Sequence, residues 1–279
     1  MNKNTYTVIR PKNSVFDLNL REFFDSRELI RMFVKRDFLA TYKQTLLGPL
    51  WFIINPLLTT LIFTVVFGGI AKLPTDETPQ FLFYMASNII WTYFQTCVTK
   101  NSNTFVSNAR LFGKVYFPRI VTPISVSISA MINFGVQFVM FLCFVAYYAF
   151  TGAVSPNLYV LLTPLLLLMC AALSIGFGII VSSLTTKYRD LAVLVSFGVT
   201  LWMYLSPVVY PASRVGTELL PFFMLNPMAP ILEAFRYAFL GAGMFSWFWL
   251  SVSALTTTLI FIIGVLLFNK VEKTFMDTV

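Results

Sequence analysis

The stretch SNARLFGKVYFPR, residues 107 to 119, gathers Arg110, Lys114 and Arg119 with no acidic side chain among them. On both sides the chain is nearly free of charge, with uncharged runs over 44 to 71, 78 to 99, 120 to 186, 191 to 213 and 237 to 269. Three cations without counter-charge suit one kind of chemistry, contact with anions: lipid headgroups or an acidic protein surface. In helical register Arg110 and Lys114 stand one turn apart, and so do Leu111 and Val115. A short helix here would show a basic ridge beside an apolar one and could dock in a partner's groove. The positive-inside rule would by itself also place basic residues at such a point.

Other chemistries lack their residues. The chain has no histidine and three cysteines, and Cys97, Cys143 and Cys170 fall inside apolar runs with neither metal-ligand spacing nor a disulfide framework. No metal site is therefore expected. The phosphate-cradling pattern G-x-x-x-x-G-K-[ST] is missing, because Gly113-Lys114 is followed by valine and lacks the upstream glycine. If the protein uses nucleotide energy, a partner must bring it. An ion-coupled carrier needs an ionisable group within the membrane, and by the sequence the charges lie only at span ends. A membrane-bound enzyme would have Asp76, Glu77, Glu218 and Glu233 as its outer-facing acids. The net charge of +8 suits anionic lipid or an acidic protein, and no nucleic-acid-binding pattern is present.

The elements that would position these residues follow from composition. With 57% hydrophobic and 11% charged residues in 279, against roughly 25% charged in soluble domains, this is an all-α integral membrane protein. A spanning helix needs about 20 apolar residues, which predicts six spans at 44–71, 81–99, 120–150, 157–184, 191–212 and 245–268. The polar N-terminus MNKNTYTVIRPK has no removable signal peptide pattern. Seventeen of the twenty basic residues lie on one side of this layout, and Lys72, Arg214 and Arg236 on the other. Both termini are therefore expected in the cytoplasm. Residues 19–42 read as an amphipathic surface helix, with a stripe of Leu20, Phe23, Ile30, Val34 and Phe38 that Arg27 and Arg31 interrupt. Before the last span, 214–241 is apolar but broken by Pro221, Pro227 and Pro230. Two short helical pieces that dip into the membrane and return would satisfy it.

Three stretches together resemble the membrane subunit of ABC-2 type exporters of cell-surface polysaccharide, the O-antigen, capsule and teichoic-acid group. They are RDFLATYKQTLLGPLW (36 to 51), KYRDL (187 to 191) and NPMAPILEAFR (226 to 236). The resemblance implies a permease in the bacterial inner membrane that pairs with a second copy of itself. Two copies of a separate ABC ATPase subunit would bind ATP and Mg, so this chain would hold no cofactor. It also implies a lipid-linked polysaccharide as cargo, an interface helix at 19–42 and a coupling helix at 107–119. Contacts to the ATPase would come from Arg110, Leu111, Phe112, Lys114, Val115, Tyr116 and Arg119, with Lys187, Tyr188, Arg189 and Asp190 as a second set. Residues 214–241, including Phe222, Phe223, Glu233 and Arg236, would form outer gate helices.

Aromatic residues make up 17% of the chain. Sugar rings present apolar C–H faces, so an aromatic lining can stack on a moving polymer while Tyr and Trp tips hydrogen-bond to it. Since the resemblance puts the first and fifth spans at the dimer centre, the expected channel residues are Trp51, Phe52, Phe63, Phe67, Trp202, Tyr204 and Tyr210. The same layout would serve an ABC-2 permease for a smaller lipid or drug, and a membrane-bound glycan-processing enzyme is a further alternative.

Overall fold

A computed structural model describes residues 25 to 42, 48 to 115, 117 to 186, 188 and 190 to 275. Among them the elements are helical, with no strand. The helices are α1 (Arg27–Tyr42), α2 (Trp51–Phe63), α3 (Gln80–Asn101), α4 (Thr104–Phe112), α5 (Val121–Phe150), α6 (Thr163–Thr185), α7 (Leu191–Tyr204), α8 (Leu220–Met224), α9 (Met228–Leu240) and α10 (Trp247–Phe275). A 3-10 turn, Gly48–Leu50, leads into α2, which continues as a π-helix over Thr64–Ile70, and a second turn, Leu158–Leu162, leads into α6.

Four of these helical stretches are long and apolar enough to cross a membrane: Trp51–Ile70, Val121–Phe150, Leu158–Thr185 and Trp247–Glu272. The second expected span, α3, has 22 residues but carries Ser87, Asn88, Thr92, Gln95 and Asn101 among its apolar ones. Burial explains why it can. From Leu82 to Phe94 nearly every residue is buried, and α3 packs against α2, α5, α6, α7 and α9. A helix enclosed by other helices need not show lipid a uniform apolar surface.

The fifth expected span, 191–212, is shorter than the sequence suggested. Helix α7 stops at Tyr204, giving 14 residues, or about 21 Å at 1.5 Å per residue, against about 30 Å of bilayer hydrocarbon. Pro207 disfavours helical backbone at Ser206. The Asn226 side chain then takes over the freed groups, donating to the Leu205 carbonyl at 3.1 Å and to Ser206 Oγ at 2.8 Å. Its Oδ1 accepts from the Met228 backbone N–H at 3.1 Å and so caps α9. At the other end of α9, Gly241 adopts φ +75, and a Cβ there would meet Ser155 Oγ at 2.3 Å.

Helix α10 runs past the expected end at 268 to Phe275. Phe268 stacks on Phe105 of α4 with centroids 4.5 Å apart, which anchors the added turns. Higher up, α10 and α6 approach closely: a Cβ on Gly176 would lie 2.7 Å from Phe261 Cα, and one on Gly264 would lie 2.6 Å from the Gly176 carbonyl oxygen. In lipid, where apolar side chains gain little by leaving one apolar medium for another, such small-residue contacts let backbones pack tightly.

On the amphipathic helix the described members of the expected stripe, Ile30, Val34 and Phe38, are half-buried, and the most buried residue lies beside them. Phe33, outside the expected stripe, is 4% exposed and meets Phe117 edge-on at 5.7 Å, with Leu29 and Ile30 packed in the same cluster. Arg27 and Arg31 lie off this seam and are exposed, and Arg31 pairs with Glu28 at 2.7 Å. Leu20 and Phe23 lie outside the described residues.

Candidate functional site

Helix α4 starts earlier and ends sooner than the basic segment, spanning Thr104–Phe112 with Gly113 at its C-terminal cap. Its inner side is set by Phe105 and Phe112, both buried in a cluster with Phe117, Ile175, Ile179 and Phe268, while Ala109 and Leu111 pack at the edge. The Phe105 backbone N–H donates to Ser182 Oγ at 3.2 Å, and Thr185 Oγ1 donates to the Ser102 carbonyl at 3.0 Å. These bonds lash the start of α4 to the end of α6. What remains outside is Val106, Ser107, Arg110, Lys114 and Val115, all exposed. Of the seven residues expected on the partner surface, Arg110, Lys114 and Val115 face outward. Phe112 is turned into the core, Leu111 is half-buried, and Tyr116 lies outside the described residues.

Arg119 behaves differently from the two other cations. It is 9% exposed, with its guanidinium donating to the Glu272 carbonyl at 2.7 Å and its Nε 3.8 Å from Glu272 Oε1. The Arg119 backbone N–H also donates to that carboxylate at 3.4 Å, and the guanidinium sits 5.3 Å over the Phe112 ring. The lack of an acidic neighbour in sequence is made good by a glutamate 153 residues away. From the second expected contact, KYRDL, Tyr188 and Asp190 are exposed, and Lys187 and Arg189 lie outside the described residues.

In the segment before the last span, the prolines yield two helical pieces, α8 and α9. Phe222 is 74% exposed, whereas Phe223 is half-buried against Tyr210 at 5.9 Å. Glu233 and Arg236 are not surface charges. They are 0% and 1% exposed and form an ion pair one turn apart on α9. The Glu233 carboxylate also accepts the backbone N–H groups of Ala212 and Met244, each at 2.9 Å. Arg236 donates to Ser87 Oγ at 3.3 Å and lies 4.3 Å over the Phe83 ring. The pair thus clips α9 to the loop before α8, to the loop after α9 and to α3. A buried carboxylate that keeps its charge needs this many donors. Glu233, expected among the outer-facing acids, is thus enclosed by the chain instead.

The expected channel aromatics divide. Trp202 is wedged between Phe94 at 5.1 Å and Phe177 at 5.2 Å, and its indole N–H donates to Asn226 Oδ1 at 2.9 Å. Phe52 is buried beside Phe38. Phe63 and Phe67 pack on each other and on Tyr84, and Tyr210 donates its hydroxyl to the Tyr204 carbonyl at 2.9 Å. Trp51 and Tyr204 stay exposed. In the single chain, then, Trp202 and Phe52 hold helices together.

One feature was not anticipated from the sequence. Between α2, α3 and α5 lies a recess of about 210 Å³ lined by Trp51, Phe52, Asn55, Pro56 and Thr59, by Asn88 and Thr92, and by Asn133 and Gln137. Its signal in the sequence is the occurrence of amide side chains within the predicted spans. Among the described residues, no group of three or more His, Cys, Asp or Glu side chains is placed to hold a metal ion.

The long apolar helices packed around a buried α3, with a short basic helix at one end, define a polytopic membrane protein. Residues 28–240 match the family described as ABC-2 type transporter, and the chain belongs to that family. It is a transport protein and not an enzyme. It is 26% identical over 261 residues, 93% of this chain and 96% of the relative, to an O-antigen export system permease protein RfbA of Klebsiella pneumoniae. It is 29% identical over 223 residues, 79% of this chain and 83% of the relative, to the protein of that name from Myxococcus xanthus.

Proposed function

We propose that this chain is the permease subunit of an ATP-driven exporter that moves a lipid-linked polysaccharide of O-antigen type across the bacterial inner membrane. The observation that carries the reading is the likeness to O-antigen export permeases over nearly the full length of both chains. The six-span layout takes the four long apolar helices plus α3 and α7, with both termini cytoplasmic by the distribution of basic residues. The exposed apolar faces of α2 (Leu58, Leu61, Ile62) and α7 (Val193, Leu194, Phe197) support pairing with a second copy along those helices.

Energy comes from two copies of a separate ABC ATPase, which bind the ATP and Mg. Helix α4 is the coupling helix: its buried side is fixed to α6 and α10, and its exposed Arg110, with Lys114 just past its C-terminal cap, meets the ATPase. Tyr188 and Asp190, with their neighbours Lys187 and Arg189, form the second contact. A helix lashed at its base passes rigid-body movement of the ATPase into the bundle. Helices α8 and α9 cover the outer end, and Phe222 lies on the moving part of that gate, because the Glu233–Arg236 clip ties α9 to α3. The exposed Trp51 and Tyr204 are the channel aromatics of this reading.

The test replaces Arg110 and Lys114 together by glutamate. Like charges facing each other across an interface cost several kcal/mol, so the ATPase should no longer copurify and surface polysaccharide should disappear. Normal copurification and normal export would overturn the coupling assignment.

A further inference from the structure

We propose that the recess between α2, α3 and α5 is a subsite for the uncharged, hydroxyl-rich part of the transported glycan, an inference that rests on the polysaccharide-export reading. Asn88 is 4% exposed, its Nδ2 has no hydrogen-bond partner among the described residues, and the residue lines the recess. Its Oδ1 accepts only a long bond from Thr92 Oγ1, at 3.5 Å. A buried amide donor left unmatched is costly and calls for a ligand or water to complete it. Asn55, Asn133 and Gln137 bring three more amides to the same space from α2 and α5.

Each amide offers two N–H donors and a carbonyl acceptor. A sugar hydroxyl donates and accepts at once, so neighbouring hydroxyls on a ring can bond to such a set in several registers. Exposed Trp51 adds a flat apolar face of the kind that the C–H side of a pyranose covers. No charged side chain is found among the described residues lining the recess. Phosphate is bound by Arg, Lys or backbone N–H arrays, so the phosphate of a lipid carrier has no match here, whereas a neutral sugar has. At about 210 Å³ the space exceeds what one water fills in the liquid, about 30 Å³. Neutral hydrogen bonds of this kind exchange readily with water, which lets a polymer step past rather than lodge.

The experiment removes the hydrogen-bonding groups while holding volume, with Asn88→Leu, Asn133→Leu and Gln137→Met combined in the whole exporter. Surface polysaccharide should fall by about tenfold or more, the equivalent of 1.4 kcal/mol, with the complex still assembled in normal amount. Unchanged export by the assembled triple variant would overturn the subsite. Should the triple variant fail to assemble, a probe at Asn55, which is exposed, decides instead. Asn55→Cys in a Cys143→Ser background is labelled with a benzophenone and irradiated with polysaccharide freed from its lipid by mild acid, or with vesicles containing phosphatidic acid. A saturable adduct with the freed glycan supports the subsite, and an adduct with the phospholipid alone, or none, overturns it. If the unaltered exporter moved no polysaccharide, the export reading itself would fall first, so the two failures are separable.

Discussion

Helices α4 and α9 are both short and both precede a long apolar helix; α9 carries two charged residues one turn apart, and α4 carries Arg110 with Lys114 just past its C-terminal cap. They use charge in opposite ways. In α9 the charges are of opposite sign and fully buried, and their hydrogen bonds run to three other parts of the chain. Along α4 and its C-terminal turn they are of one sign and exposed, and the apolar face holds the helix in place. A like-charged pair cannot be buried together without large cost, whereas a complementary pair with enough donors can. The sign pattern alone thus separates a buried staple from an exposed surface, and Arg119 with Glu272 stands between the two.

Breaking the α9 staple should have the largest effect on stability. Arg236→Met leaves the Glu233 carboxylate buried without its counter-charge and should cost about 3 to 5 kcal/mol, read as a lower unfolding midpoint in detergent. Adding Glu233→Gln to it should recover part of the loss, because the buried charge is removed while the amide oxygen still accepts from one of the two backbone N–H groups, that of Ala212 or that of Met244. A double variant no more stable than the single one would show that the pair is not coupled.

The intermediate pair should give an intermediate result. Arg119→Met removes charge-assisted hydrogen bonds to Glu272 at a partly buried site, worth about 1.5 to 3 kcal/mol. Proteolysis near the C-terminal end of α10 should speed up, since that end is held by Arg119. Unaltered cleavage would mean that the Phe105–Phe268 stacking suffices. A smaller change is expected at Trp202→Phe, which keeps a ring between Phe94 and Phe177 and drops one hydrogen bond to Asn226, for about 1 kcal/mol. If export collapsed in this variant while stability barely changed, Trp202 would belong to the glycan path after all.

The smallest stability effect should come from the α4 surface. Arg110→Glu with Lys114→Glu should shift the unfolding of the isolated permease by no more than about 0.5 kcal/mol, although the same change is expected to abolish export. A loss as large as that of Arg236→Met would erase the contrast between the two helices and make Arg110 or Lys114 part of the fold.

Much of the architecture was legible from composition. Apolar runs longer than a bilayer needs predicted helices near 120–150 and 157–184, where α5 and α6 with its leading turn lie within about a residue of them. Prolines predicted the break between α8 and α9. Helix α7 was overextended because Leu205 to Tyr210 is as apolar as what precedes it, and hydropathy does not register that Pro207 and the Asn226 side chain end the helix. The site was less legible. The exposure of Arg110 and Lys114 was legible from charge alone, but nothing near Arg119 in sequence points to Glu272, and the recess draws its amides from three helices.

What the sequence determined by itself was class and family: a membrane protein of long apolar helices, with basic residues gathered between the apolar runs and motifs near residues 36, 187 and 226. These depend on composition and local order, which a chain carries before it folds. Only the tertiary structure decided which face of each helix is inside. In soluble helices the contrast between polar and apolar faces reveals this, but α2, α5 and α7 are apolar nearly all round, so periodicity carries little information. Whether Phe112 faces a partner or the core, whether Glu233 meets water or Arg236, and whether Asn88, Asn133 and Gln137 share one space depend on contacts between residues far apart in the chain.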